Sequence, residues 1–158
     1  MLKSETTKAT GKLNIVVRDE NGKVKEDFTV PNLVVTTGLA FIAGRMKDTD
    51  TGAGGSHTIP DAMTHMAVGT DSTATALSDT ALGSEVAGAR VSLTDTEING
   101  ADTVYTALFA AGTGSTGLTE AGIFNAASGG TMLCRTVFDV INKGPADTMT
   151  VTWTITIS

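Results

Sequence analysis

Cysteine occurs once, at position 134, which excludes an internal disulfide and a cysteine-rich zinc site and fits folding in a reducing compartment. Aromatic residues are only 4% of the chain, leaving little for stacking against sugars. Charge of one sign never accumulates: the net −6 is spread along the sequence without a block. An acidic surface lacking a basic patch is repelled by a phosphate backbone, so no nucleic-acid partner is expected. No stretch approaches the ~18 apolar residues of a membrane-spanning helix, and no membrane partner is expected. The opening MLKSETTKAT is polar and holds no apolar run, which predicts no secretory signal. The expectation is a soluble domain made in the cytoplasm.

What is present points to one class. Hydrophobic residues at 41% and charged residues at 18% describe a globular chain, and 158 residues suit one domain with a sizeable core. Threonine, glycine and alanine dominate. Threonine's branched Cβ suits a pleated strand and glycine supplies turns, which predicts an all-β domain. Strands are expected at 12–19 and 24–30 around Asn21-Gly22, a hairpin signal in which both turn residues take positive φ. This register sets Leu13 opposite Val30, Ile15 opposite Phe28, and Arg18 against Lys25, a like-charge contact tolerable only in water. Pro31-Asn32 should break the strand before 33–35.

Leu39, Ile42, Ala43 and Met46 fall at helical spacing, with threonines available as caps, which predicts one short helix near 37–47. Residues 48–60 read as a long loop and 71–85 as an irregular polar connection. Further strands are expected at 63–70, 88–96 and 103–111, the last two joined at Asn99-Gly100. The closing TMTVTWTITIS alternates Met149, Val151, Trp153, Ile155 and Ile157 with threonines, the pattern of a half-buried antiparallel strand. About eight strands suit an antiparallel β-sandwich or jelly roll. Residues 12–158 are read as that single domain and residues 1–11 as an extended N-terminal arm.

The stretch GLTEAGIFNAASGGTMLCRTVF, residues 117–138, gathers the residue types of active sites. Each chemistry lacks its partners. Cys134 lies in a strand-like run, where a thiol is a small buried hydrophobe, and Arg135 beside it points to the opposite face. GTGSTG at 112–117 matches the dinucleotide fingerprint, with Asp139 about twenty residues on, but no helix can follow it. Asp48 and Asp50 before Gly52 suggest a calcium loop without its later ligands. His57 and His65 have no third metal ligand in reach, and no carboxylate pair stands out for glycoside hydrolysis. No catalytic residue, cofactor or metal is therefore assigned. The stretch instead reads as a hairpin around AASGG in which Glu120 and Arg135 form a cross-strand ion pair.

Four segments carry a resemblance: NLVVTTGLAFIAGRM, HMAVGTDSTATALSDTALGSE, LTEAGIFNAASGGTMLCRTVF and KGPADTMTVTWTITIS. Together they resemble a family of small virion structural proteins of tailed bacteriophages, from about residue 12 to the end. The most specific pieces are the E-x-G-[IL]-F-N run at Glu120–Asn125 and the terminal threonine-alternating strand. The resemblance implies a non-enzymatic protein located in the virion and assembled in the host cytoplasm. The first reading is a capsid decoration, or cement, protein that binds the major capsid protein lattice and stabilises the head. It is favoured because a lone short β-domain becomes useful through symmetric partners, and because the chain lacks a fibre's repetitive shaft. The alternative is a tail, collar or fibre-adaptor subunit binding other virion proteins; a non-viral alternative is a carbohydrate-binding β-sandwich. A homo-oligomer, dimer or trimer, is expected. Lys3, Glu5 and Lys8 of the arm and Asp48, Asp50 and His57 of the long loop are the expected assembly contacts, the arm by adding a strand to a neighbour.

Overall fold

The computed structural model describes residues 7–46 and 58–158. Within them nine strands and one helix follow in the order β1 (Ala9–Arg18), β2 (Val24–Val34), α1 (Thr36–Arg45), β3 (His65–Gly69), β4 (Glu85–Ser92), β5 (Asp95–Asn99), β6 (Asp102–Phe109), β7 (Gly117–Phe124), β8 (Met132–Asn142) and β9 (Thr148–Ile157). All pairings are antiparallel, in the spatial order β4-β3-β7-β8-β2-β1-β9-β6-β5. The sheet curls on itself into an all-β, sandwich-like fold. Leu13, Ile15, Phe109, Val151 and Trp153 from one half pack with Met66, Leu118, Ile123, Leu133 and Ile141 from the other in a single core. Each such side chain contributes about 1.5–3 kcal/mol by leaving water.

Strand β9 sits centrally, between β1 and β6. Met149, Val151, Trp153 and Ile155 are buried and the threonines between them half-buried. Only Ile157, at the strand end, escapes burial at 37% exposure.

The β1–β2 hairpin keeps the expected register, Leu13 with Val30 and Ile15 with Phe28, but its turn differs. Only Gly22 has positive φ, at 80°. The Gly22 amide donates to the Asp19 carbonyl, and the Asp19 amide to the Lys23 carbonyl. This is a type I turn followed by a left-handed glycine, the three-residue hairpin loop. The Asp19 carboxylate accepts from the Asn21 and Lys23 amides, which fixes that turn. The extra residue shifts the register at Arg18, which pairs with Val24. The Arg18–Lys25 contact therefore does not form: Arg18 donates to the Gly22 carbonyl and Lys25 pairs with Asp147.

Pro31 does not break β2. It pairs with Lys12 along β1, and two residues later Leu33 and Val34 pair with Arg135 and Cys134 of β8. Proline is tolerated because β2 is an edge up to this point and no N–H is needed there. This is where the chain turns the corner between the two halves of the sandwich.

The helix is present, but another face is buried. Gly38, Phe41 and Gly44 face inward, whereas Leu39 is 45% and Met46 83% exposed. Glycine decides this, because a Cβ at Gly38 would lie 1.9 Å from the Leu133 carbonyl oxygen; the helix backbone rests directly on β8. Threonine does not cap it either. Val35 occupies the N-cap without a side-chain bond, and Thr37 Oγ1 instead donates to the Met132 carbonyl.

The expected strand at 88–96 divides into β4 and β5, which lie at opposite edges of the sheet. The β5–β6 hairpin turns at Gly100-Ala101, with Gly100 at φ 62° and Asn99 paired with Asp102. The arm is shorter than expected, because Ala9, Thr10 and Gly11 belong to β1 and pair with β9. Lys8 joins them through backbone hydrogen bonds with Ser158.

Candidate functional site

Residues 117–138 form the β7–β8 hairpin, and the run Glu120–Asn125 can be followed atom by atom. Glu120 is fully buried on the outer face of the sheet. It lies diagonally across from Arg135, whose direct partner is Gly122. Arg135 Nε donates to Glu120 Oε2 at 2.9 Å, so the structure brings the expected pair together. It adds two carboxylates: Arg135 donates to Asp79 at 2.9 Å and to Asp71 at 3.0 Å. Three carboxylates thus surround one guanidinium that is 2% exposed.

Glu120 does more than pair. Its two oxygens accept from the backbone amides of Asp71, Gly83 and Ser84. Asp71 accepts in turn from the amide and hydroxyl of Thr73, and Asp79 from the Ala76 amide. The cluster therefore straps residues 70–84 over β7 and β8. Beneath the strap Leu82 packs with Val35, Ala67, Phe124 and Met132 in a small second core.

Glycines make room for it. A Cβ at Gly69 would meet Glu120 Oε1 at 2.3 Å, and one at Gly83 would meet Asp71 Oδ2 at 1.9 Å. The remaining motif residues are equally committed. Ile123 enters the main core and Phe124 lies under Arg90, whose Cζ is 3.8 Å from the ring centroid. Asn125 Oδ1 accepts from the Thr131 amide across the turn.

The electrostatics follow from these contacts. The Thr73 hydroxyl and amide, with Arg135 nearby, hold the Asp71 carboxyl below its ordinary range. Burial alone would lower the Arg135 pKa, but hydrogen bonds with Asp79 and Glu120 more than offset it and raise the value. The guanidinium is locked in its charged form. A general acid or base needs a free oxygen beside a substrate, whereas the Glu120 oxygens are already held by three amides and the guanidinium.

Cys134 points the other way, into the main core, fully buried, and burial pushes its thiol well above the ordinary value. GTGSTG runs through a turn into strand β7, not into a helix. His65 shares its ring nitrogens with Thr64 and Ser92 at 2.8 and 3.4 Å. Among the described residues no group of three His, Cys, Asp or Glu is arranged to hold a metal ion. Lys3, Glu5, Asp48, Asp50 and His57 lie outside the described residues, and Lys8 is tied to the sheet by its backbone.

Two features were not read from the sequence. The first is a second buried charge cluster. Lys143 Nζ donates to the Ala110 and Asp147 carbonyls at 2.9 and 2.7 Å, and Asp147 takes Lys25 and the Gly144 amide on its carboxylate. Lys25 above all, then that amide, lower the Asp147 pKa, and burial lowers that of Lys143. The second is a cavity of about 330 Å³ between α1 and the far end of the sheet. Phe41, Ile42, Leu133, Ile155 and Ile157 give it apolar walls, with Tyr105 and Arg45 also lining it. Burial pushes the Tyr105 phenol up to about 12. The signal for this cavity was Ile157, the last apolar position of β9, whose partner on β1 is only the small Ala9.

Compared with known proteins, the chain matches no family model, no curated protein and no solved structure.

Proposed function

We propose that this protein is a non-enzymatic structural subunit of a bacteriophage particle, and specifically a decoration protein that binds the capsid lattice from outside and stabilises the head. The observation that carries the reading is how the Glu120–Asn125 run is used. Every polar group of that run described above is committed to holding the chain's own strap and turn. A binding subunit needs such rigidity, because a surface fixed before contact loses little entropy on docking. The resemblance of the sequence to small virion proteins supports the same reading.

The mechanism is repetition. Contacts that are weak singly become strong when a symmetric lattice presents many copies at high local concentration. The test uses phage particles that carry this chain. Particles stripped of it should lose resistance to heating, and adding back the purified protein should restore that resistance. A chain lacking residues 1–6 should restore it less well while unfolding at the same temperature as the full chain, since β1 begins at Ala9. Stripped particles as heat-resistant as intact ones would overturn the head-stabilising role and favour a tail or collar position.

A further inference from the structure

Among the described residues β2, β4 and β5 each have an unpaired side, and these edges are not alike. Along β2 the free side of residues 24–31 carries Lys25, Glu26, Asp27 and Pro31, devices that discourage strand addition. At β4 the register is interrupted by a bulge, Gly88 takes φ 73°, and Arg90 is clamped to Glu85 and to the Ala126 and Gly129 carbonyls. Strand β5 has no proline, no glycine and no clamped arginine, and its two charges, Asp95 and Glu97, are both acidic. It pairs with β6 in unbroken register over all five residues, and every one of its side chains is exposed.

Its two faces differ chemically. Thr96 and Ile98 line the apolar cavity, and Ile98 is 80% exposed there. Asp95, Glu97 and Asn99 point to the other face. The two-residue turn makes Asn99 and Asp102 a hydrogen-bonded pair, so Glu97 and Asp95 also bond toward β6. The C=O of Thr96 and both backbone groups of Ile98 are then directed to the open edge, while the Thr96 N–H donates to the Asp95 carboxylate at 2.9 Å.

We propose that β5 is a docking edge for an extended segment of another protein whose side chains alternate apolar and basic. Such a segment adds as a tenth strand. Residues opposite Thr96 and Ile98 place apolar side chains over the cavity, and residues opposite Asp95 and Glu97 place Lys or Arg against carboxylates. Cross-strand pairs of opposite charge are favourable and like charges directly opposite are not. The same rule disfavours a second copy of β5 paired about Thr96 or Glu97, which sets Asp95 against Glu97 or Glu97 against itself; pairing about Ile98 has no such clash and is the dimer outcome of the test below. Only the identity of the protein supplying the strand rests on the particle reading; the edge chemistry stands without it.

The test is a titration of the full chain, followed through its backbone amide NMR signals, with two synthetic six-residue peptides, one alternating Leu and Lys and the other Leu and Glu. The Leu/Lys peptide should shift the amides of 95–99 and of cavity residues such as Ile157, with the Leu/Glu peptide leaving them unmoved. Glu97→Lys should weaken the Leu/Lys peptide by about tenfold and admit the Leu/Glu peptide. Ile98→Pro, which removes an edge N–H without touching the β5–β6 ladder, should weaken it as well. Equal binding of both peptides, or shifts located away from β5, would overturn the proposal. So would a dimer of the free chain dispersed by Ile98→Pro, since a second copy would then hold the edge. None of these results bears on particle stability, so the two readings fail separately.

Discussion

Arg135 donates to Glu120, Asp71 and Asp79 at once, and removing it leaves the fully buried Glu120 carboxylate without a counter-charge. Breaking a buried ion pair from one side costs about 3–5 kcal/mol. Arg135→Met is therefore expected to lower the urea midpoint by that equivalent; a loss under about 1 kcal/mol would refute the strap. The Glu120–Arg135 pair was legible because a hairpin centred on AASGG brings the two positions close. Asp71 and Asp79 were not, since they lie 64 and 56 residues from Arg135 in a segment without periodicity. Lys143 was missed for a related reason: a lysine between a strand and Gly144-Pro145 reads as exposed, and only the fold closes Ala110 and Asp147 around it.

Acid should loosen the same residues. Asp71 and Asp147 are held below the ordinary carboxylate range in the folded chain, chiefly by Thr73 and Lys25 respectively. The folded state consequently binds fewer protons than the unfolded state, and falling pH favours unfolding. Their contribution is complete above the unfolded value of ~3.9 and is lost as pH drops through the folded values. The denaturation midpoint should stay level from about pH 7 to 5 and fall below about pH 4. Asp71→Asn should lower the plateau and flatten the acid limb. A midpoint that rose below about pH 4 would contradict the assignment.

At the scale of the element, hydrophobic spacing found the helix but chose the wrong face. Leu39 and Met46 looked like core positions, yet the smallest side chains face β8 because backbone meets backbone there. Glycine carries no hydropathy signal, and close approach is a property of the pair of elements, not of either one. Gly38→Ala tests the contact. The added methyl must displace α1 from the Leu133 carbonyl, at a cost of about 1–3 kcal/mol. Thermal unfolding should reveal that loss, whereas an unchanged or raised midpoint would mean that the helix does not rest on β8. The hairpin teaches the complementary point. Asn21-Gly22 marked the turn correctly, but the Asp19 side chain selected a three-residue loop, and that extra residue removed the Arg18–Lys25 clash.

For the whole molecule, the all-β class was legible from composition and from β9, whose two-residue alternation can belong only to a half-buried strand. The order of strands was not. Placing β4 and β5 at opposite edges depends on pairings far apart in sequence, which local pattern does not encode. In the proposed role this rigid sandwich binds repeatedly on a phage head, and copy number decides between that and a single ring. Quantitative mass spectrometry of purified particles that carry the chain should give on the order of hundreds of copies per particle, matching a capsid lattice. A count in single or low double digits would contradict it and place the protein in a tail or collar ring.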